Sequence, residues 1–162
     1  MSAARNKDAQ AGKSQAKGSR SAARLGAVQA LYQAELAETA PSIVISEFLD
    51  HRLGKELEGE RYKAADRTFF GEIVEGVSER GAEIDDVIKA ALPGNWPLER
   101  LENLVRAILR CGAFELIARP DVPTPVIINE YVDVAHAFFA EGEPAFVNGV
   151  LDTVAKRARP GI

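Results

Sequence analysis

The spacing of apolar side chains constrains this sequence more than any other feature. Leu25, Val28, Tyr32 and Leu36 follow one another at intervals of three or four residues. Such intervals place side chains on one face of a helix, whereas a half-buried strand alternates every second residue. Similar runs recur along the chain, and no segment shows sustained alternation. The sequence therefore predicts an all-α protein of about seven helices.

Prolines and glycines separate the predicted helices. The helices cover about residues 21–38, a segment that begins with Ser42 as its cap, about 62–79, 84–92, about 98–118, a segment capped by Thr124 that runs to 138, and 144–154. The connector Pro93-Gly94-Asn95-Trp96-Pro97 divides a domain of residues 19–162 into an N-terminal half, 19–92, and a C-terminal half, 98–159. We expect the halves to pack as two helical bundles.

Charge is distributed unevenly along the chain. The net charge is −4, but residues 1–24 carry six basic side chains and one acidic one, a net +5 that leaves −9 for the remainder. Residues 1–18 offer almost nothing apolar to bury, so we expect a flexible basic arm that is disordered when free. A basic arm on an acidic body suggests a polyanionic partner, although a merely solubilising tail has the same composition.

The residue inventory argues against an enzyme. His51 and His136 are the only histidines, and neither has metal-type spacing with the single cysteine, Cys111. Cys111 lies in an apolar helical stretch, where a buried thiol is more common than a nucleophile. The sequence contains neither a phosphate-binding loop of the Walker type nor a strand followed by GxGxxG. We therefore expect no catalytic residue, no metal and no cofactor.

The predicted location is the cytoplasm. One cysteine cannot form an internal disulfide, which suits a reducing compartment. No stretch approaches the roughly 18 apolar residues of a membrane span, and the N-terminus lacks the apolar run of a secretory signal.

Three stretches together resemble the NusB family. The first is Arg-Ser-Ala-Ala-Arg-Leu-Gly-Ala-Val-Gln-Ala-Leu-Tyr at residues 20–32. The second, residues 104–116, reads Leu-Val-Arg-Ala-Ile-Leu-Arg and then continues from Gly112 to Leu116, with Arg-Pro-Asp-Val-Pro following at 119–123. The third pairs Val-Ile-Ile-Asn-Glu at 126–130 with Phe-Val-Asn-Gly-Val-Leu-Asp at 146–152. The likeness covers roughly residues 19–159.

The resemblance implies an RNA-binding adaptor of transcription antitermination. Proteins of this family bind the boxA element of nascent ribosomal RNA together with NusE, a small-subunit ribosomal protein. The pair joins the elongating RNA polymerase complex with other Nus factors.

Four cations are candidates for RNA phosphates: Lys13, Lys17, Arg20 and Arg24. Arg20 and Arg24 lie four residues apart near the start of the first helix, and the two lysines precede them on the arm. If all four reach phosphates of a single strand, the slope of log affinity against log salt should be about −3.

The resemblance also implies that Tyr32 and the turn flanked by Phe138 and Phe146 face the RNA, and Asn148 is a further candidate RNA-binding residue. Aromatic rings can stack on splayed bases, and an amide offers both donor and acceptor groups. Phe146 also shares a helical stripe with Val150 and Val154, which favours a core role for its ring over stacking. For the protein partner, the resemblance implies Tyr32, with Glu99 as a weaker candidate.

Alternative functions remain open at this point. A NusB-like domain can precede the catalytic domain of RNA cytosine methyltransferases, so the chain could be such an RNA-recognition domain. A helical protein that binds double-stranded DNA would need a basic recognition helix, but the cations cluster in the arm. An apolar face meant for a partner could also serve a homodimer.

Overall fold

The structure, a computed structural model, describes residues 2–51, 66–94 and 96–161, with side chains from residue 18 onward except that of residue 51. Within these ranges the chain forms seven α-helices and no strand, which confirms the all-α prediction. They are α1 (Ser2–Ala37), α2 (Pro41–His51), α3 (Arg67–Glu79), α4 (Gly81–Ala91), α5 (Asn103–Ala118), α6 (Thr124–Phe138) and α7 (Glu143–Ala158). None of the described helices has the length and hydrophobicity needed to cross a bilayer.

Helix α1 is longer than predicted. Its buried side chains begin at Ala22, close to the predicted start of the helix. The helical backbone, however, continues back to Ser2 through most of the segment predicted as an arm. Alanine, lysine and glutamine have high helix propensity, so the composition of this segment suits a helix. The disorder of residues 1–18 in the free protein stays a prediction.

Helices α2 and α3 begin at positions other than those predicted. Helix α2 starts at Pro41, and Ser42 is its second residue rather than its cap. Helix α3 starts at Arg67, and the Asp66 carboxylate accepts a hydrogen bond from the Phe69 amide at 2.9 Å. That contact satisfies one of the unpaired amides at a helix start. The predicted start near residue 62 lies outside the described residues.

Helix α5 starts at Asn103 instead of about residue 98. Residues Leu98–Arg100 form a separate 3₁₀ turn. The Arg106 guanidinium donates to the backbone carbonyls of Glu99, at 3.0 Å, and Leu101, at 2.8 Å. Because these carbonyls are satisfied by a side chain, the connector does not need to continue as α-helix.

The expected cap of α6 is also replaced. Thr124 is the first residue of the helix, and its hydroxyl accepts a hydrogen bond from Arg159 at 3.1 Å. The same guanidinium donates to the carbonyls of Leu116, at 2.9 Å, and Val122, at 2.7 Å. Arg159, just after α7, thus holds the last turn of α5 and the start of α6 together.

All seven helices contribute to the protein's packing, and α5 is central to it. Helix α5 contacts α1, α3, α4, α6 and α7, and its buried apolar side chains belong to one hydrophobic cluster. Gly76 of α3 lets Phe114 of α5 approach closely, since a Cβ at Gly76 would lie 2.1 Å from the ring. Residues from both predicted halves share this cluster, and the division into two bundles stays a prediction.

Candidate nucleic-acid interface

Arg24 does not lie on the surface, contrary to its predicted role as a phosphate ligand. The residue is 2% exposed, and its guanidinium forms two hydrogen bonds with the buried Glu115 carboxylate, at 2.8 and 2.9 Å. A buried ion pair of this geometry leaves no donor facing solvent for a phosphate. Arg24 is therefore removed from the candidate RNA-binding residues.

A polar cluster surrounds this ion pair and joins three helices. The Tyr131 hydroxyl donates to Glu115, and Glu130 lies 3.6 Å from Arg24. The Ser21 hydroxyl donates to Glu130 at 2.8 Å. Together these contacts tie α1 to α5 and α6, and they fix the orientation of the helix that carries the cations.

Two groups in this cluster, Arg24 and Tyr131, have raised pKa values. Burial alone would lower the pKa of Arg24, but the hydrogen bonds and charge of Glu115 outweigh burial and raise it above its ordinary value. Burial, reinforced by the Glu115 charge, raises the pKa of Tyr131 well above its ordinary value. Arg24 therefore stays charged and Tyr131 stays neutral wherever the protein is folded near neutral pH.

Arg20, one turn before Arg24, has a different environment. It is half-buried, and its guanidinium lies 4.9 Å from the centre of the Phe69 ring. Arg24 and Arg119 approach the same ring at 5.0 and 5.2 Å. Arg119 is also paired with Glu72 and with Asp121, the latter at 3.0 Å. Arg20, which is only half-buried in this cation–π cluster, thus stays a candidate phosphate ligand.

Lys13 and Lys17 continue along the backbone of α1 ahead of Arg20. Their side chains lie outside the described residues. Their roles as phosphate ligands stay predictions.

The structure brings Tyr32 and Phe138 together, although 106 positions separate them in the sequence. Both line a groove of about 620 Å³ between α1, α5 and α6, which we call the helix-1 groove. Tyr32 is half-buried and Phe138 is 37% exposed. The groove residues are Gln29, Tyr32, Gln33, Leu36, Ala37, Leu104 and Phe138. Leu36 is 55% exposed, so the groove presents an apolar rim to a partner.

Phe146 lies at a second depression. It is half-buried, and its ring meets that of Trp96 at a centroid distance of 5.9 Å and an angle of 76°. On α7 the fully buried positions are Val147, Leu151 and Val154, not Phe146. The ring of Phe146 thus packs against the edge of the core and also faces a surface depression.

Trp96, which lines the same depression, was not predicted as a candidate, because the composition of residues 93–97 indicates only a connector. The side chain is 57% exposed. Its position in the sequence could have indicated exposure, because a large aromatic residue between two prolines belongs to no apolar helical stripe.

The remaining predicted residues are exposed but lie in different places. Asn148 is exposed on α7 beside Gly149. Nothing lies within 4 Å of a Cβ placed on Gly149, so this glycine does not mark a close helix–helix contact. Glu99 lines another, charged depression with Glu35 and Arg106, and its carboxylate lies 3.8 Å from Lys89. The structure therefore does not place Glu99 in the helix-1 groove with Tyr32.

The described residues offer no arrangement for metal chemistry. No three His, Cys, Asp or Glu side chains among them are grouped to hold a metal ion. Cys111 is fully buried, and burial raises the pKa of its thiol well above the ordinary value. A buried thiol with a raised pKa is a poor nucleophile.

Comparisons with known proteins agree with the helical architecture. A family model described as the NusB family matches residues 21–156. Transcription antitermination protein NusB of Allorhizobium ampelinum is 52% identical over 140 residues, 86% of this chain and 88% of that protein. The corresponding protein of Novosphingobium aromaticivorans is 53% identical over 140 residues and is covered to 95%.

Solved structures give the same result. NusB of T. maritima superposes with a TM-score of 0.72 at 30% identity, covering 87% of this chain and 93% of that one. A chain from the crystal structure of antitermination factors NusB and NusE in complex with double-stranded RNA has a TM-score of 0.71 at 25% identity, covering 85% of this chain and 96% of that one.

Proposed function

Because the chain belongs to the NusB family, we propose that it is an RNA-binding adaptor of transcription antitermination and not an enzyme. It binds the boxA element of nascent ribosomal RNA together with NusE, and the pair joins the elongating RNA polymerase complex with other Nus factors. The relatives that match it are antitermination proteins covered over most of their length, which favours this function over the RNA-recognition domain of a methyltransferase. A role on nascent RNA places the protein in the cytoplasm.

The helix-1 groove carries the proposal. It joins Tyr32 and Phe138, two residues that the resemblance places at the partner surface, in one groove between α1, α5 and α6. A related NusB has been solved with NusE and RNA together, so the fold supports both partners. We assign the groove with Tyr32 to NusE and its Phe138 side to RNA.

RNA affinity combines phosphate contacts with stacking. Lys13, Lys17 and Arg20 supply the phosphate contacts along α1. Phe138, Phe146 and Asn148 supply contacts to bases near the turn between α6 and α7. Glu99, which lies outside the helix-1 groove, is assigned to the edge of the NusE interface.

The test is binding of a labelled boxA RNA and a scrambled RNA, each with and without NusE, across a salt series. We expect tighter binding to boxA, strengthened further by NusE. The Tyr32→Ala variant should lose the NusE effect, whereas Ile43→Ala should not, since Ile43 is 52% exposed on α2 and is not among the groove residues. Equal binding to both RNAs, unaffected by NusE, would refute the adaptor function.

A second copy of this chain could compete with NusE for the same groove. A homodimer would hide Tyr32 and Leu36, so NusE would have to displace one copy. Sedimentation of the chain alone and with NusE distinguishes the two complexes by mass.

A further inference from the structure

The depression beside Phe146 is lined by the rings of Phe146 and Trp96, and we call it the aromatic notch. Its volume is about 330 Å³. It lies between the connector, the start of α5 and the start of α7, and its polar residues are Arg100, Glu102 and Glu143. At the lower end of the size range of small-molecule sites, it suits a single compact group.

Two rings form its walls. Trp96 and Phe146 meet at 76°, which makes a corner of two nearly perpendicular apolar planes. Trp96 keeps 57% of its surface exposed even though an indole gains much from burial. An exposed indole at such a corner provides a free surface on which another ring can stack.

The charges around the notch favour a base over a phosphate. Glu102 and Glu143 place two carboxylates on its lining against one cation, Arg100. Carboxylates repel phosphate but accept hydrogen bonds from base N–H groups. Guanine carries N–H donors at both N1 and N2 on one edge, which matches a carboxylate better than the single N3–H of uracil.

We propose that the aromatic notch holds one unstacked base of the bound RNA, stacked on Trp96, with guanine preferred. This inference rests on the proposed function, because it adds a base-selective contact to the RNA surface that already includes Phe146.

The single tryptophan of the chain reports on this site directly. Full-length protein is titrated with boxA RNA, and binding is followed independently by the anisotropy of a label on the RNA. Stacking should quench Trp96 emission in step with the anisotropy. Trp96→Ala should weaken RNA binding about tenfold, whereas Trp96→Phe, which keeps a ring, should weaken it less. Ile43→Ala is the matched control, with a similarly exposed apolar side chain on α2.

An RNA series locates the base. Each position is replaced in turn by an abasic nucleotide and tested with wild-type protein and with Trp96→Ala. An abasic nucleotide at the position that occupies the notch should weaken RNA binding by the wild type about tenfold. The same RNA should bind Trp96→Ala almost as well as unmodified RNA does. Guanine at that position should bind more tightly than uracil, and Glu102→Gln with Glu143→Gln should reduce the difference.

The outcomes separate the two proposals. RNA binding with unchanged Trp96 emission and an unimpaired Trp96→Ala variant overturns the notch and leaves the adaptor function standing. An emission change on adding a tryptophan-free NusE without RNA assigns the notch to a protein contact and also overturns it. Absence of RNA binding by anisotropy overturns both.

Discussion

Arg24 and Arg20 stand one helical turn apart on α1, but burial gives them opposite tasks. Arg24 is buried against Glu115, while Arg20 is half-buried beside the Phe69 ring. Sequence spacing could place both on one side of a helix, but it could not reveal the buried carboxylate on α5 that captures one of them. Only the packing of α1 against α5 shows that Arg24 forms a buried ion pair and that Arg20 stays a candidate phosphate ligand.

The first prediction follows from this difference. Arg24→Ala should lower the free energy of unfolding by about 3–5 kcal/mol, because it leaves the Glu115 carboxylate buried without its partner. Arg20→Ala should lower it by no more than about 1 kcal/mol, the scale of an exposed cation–π contact. Urea unfolding of both variants measures the difference. Wild-type stability of Arg24→Ala, combined with weakened RNA binding, would show that Arg24 is a surface ligand after all.

Cys111 makes stability depend on alkaline pH. Burial raises the pKa of its thiol in the folded state, so the proton is held more tightly there than in the unfolded chain. The contribution of this group is complete below the ordinary thiol pKa of about 8.5 and is lost as pH rises toward the raised folded value, at up to about 1.4 kcal/mol per pH unit. The pKa of Tyr131 is also raised in the folded state, so its contribution to stability is lost in the same direction, above about pH 10.

Urea unfolding at pH 7, 8, 9 and 10 tests this dependence. The wild type should lose stability from about pH 8.5 upward. Cys111→Ala, compared with its own value at pH 7, should lose much less between pH 8.5 and 10. Parallel losses in both proteins would mean that other groups cause the alkaline destabilisation.

At the scale of elements, glycines within helices have different reasons to be present. Gly76 lies where α3 meets the Phe114 ring of α5, and a side chain there would collide with it. Gly149 lies on the exposed side of α7 with open space around it. The periodicity of the sequence shows only that both glycines lie in helices. It cannot distinguish them, because the side chain that crowds Gly76 belongs to another helix.

Alanine substitution at the two glycines should therefore have opposite effects. Gly149→Ala should raise the free energy of unfolding by up to about 1 kcal/mol, since alanine restricts the unfolded chain and favours helix. Gly76→Ala should lower it by about 1–3 kcal/mol through overpacking against Phe114. Thermal or urea unfolding measures both. A destabilised Gly149→Ala variant would contradict the open surroundings of that glycine.

The sequence predicted the helices well and their ends less well, for a physical reason. Apolar stripes determine which segments are helical, whereas the ends depend on long-range partners. Arg106 satisfies connector carbonyls and moves the start of α5, and Arg159 captures Thr124. The candidate site also depends on long-range contacts. The family resemblance placed Tyr32 and Phe138 at the site, but the exposure of Trp96 depends on how the connector packs against α7.

For the whole molecule, removal of Arg24 from the RNA surface leaves three candidate phosphate ligands: Lys13, Lys17 and Arg20. The acidic body repels the RNA backbone, so phosphate contacts concentrate on the first half of α1. The slope of log affinity against log salt should then be about −2 instead of −3, at roughly −0.7 per contact with a single strand.

Replacing Lys13 and Lys17 by glutamine in the full-length chain should reduce that slope to about −0.7. The matched control is Lys156→Gln at the end of α7, where the lysine is 76% exposed and paired with Asp152 at 3.0 Å. That change also removes a lysine charge, but at a position far along the chain from α1. It should therefore leave the slope unaltered. A wild-type slope of −3 or steeper would require a fourth cation on the RNA path. A slope unchanged by the double substitution would mean that the N-terminal lysines do not reach the RNA, and that the folded body supplies the affinity alone.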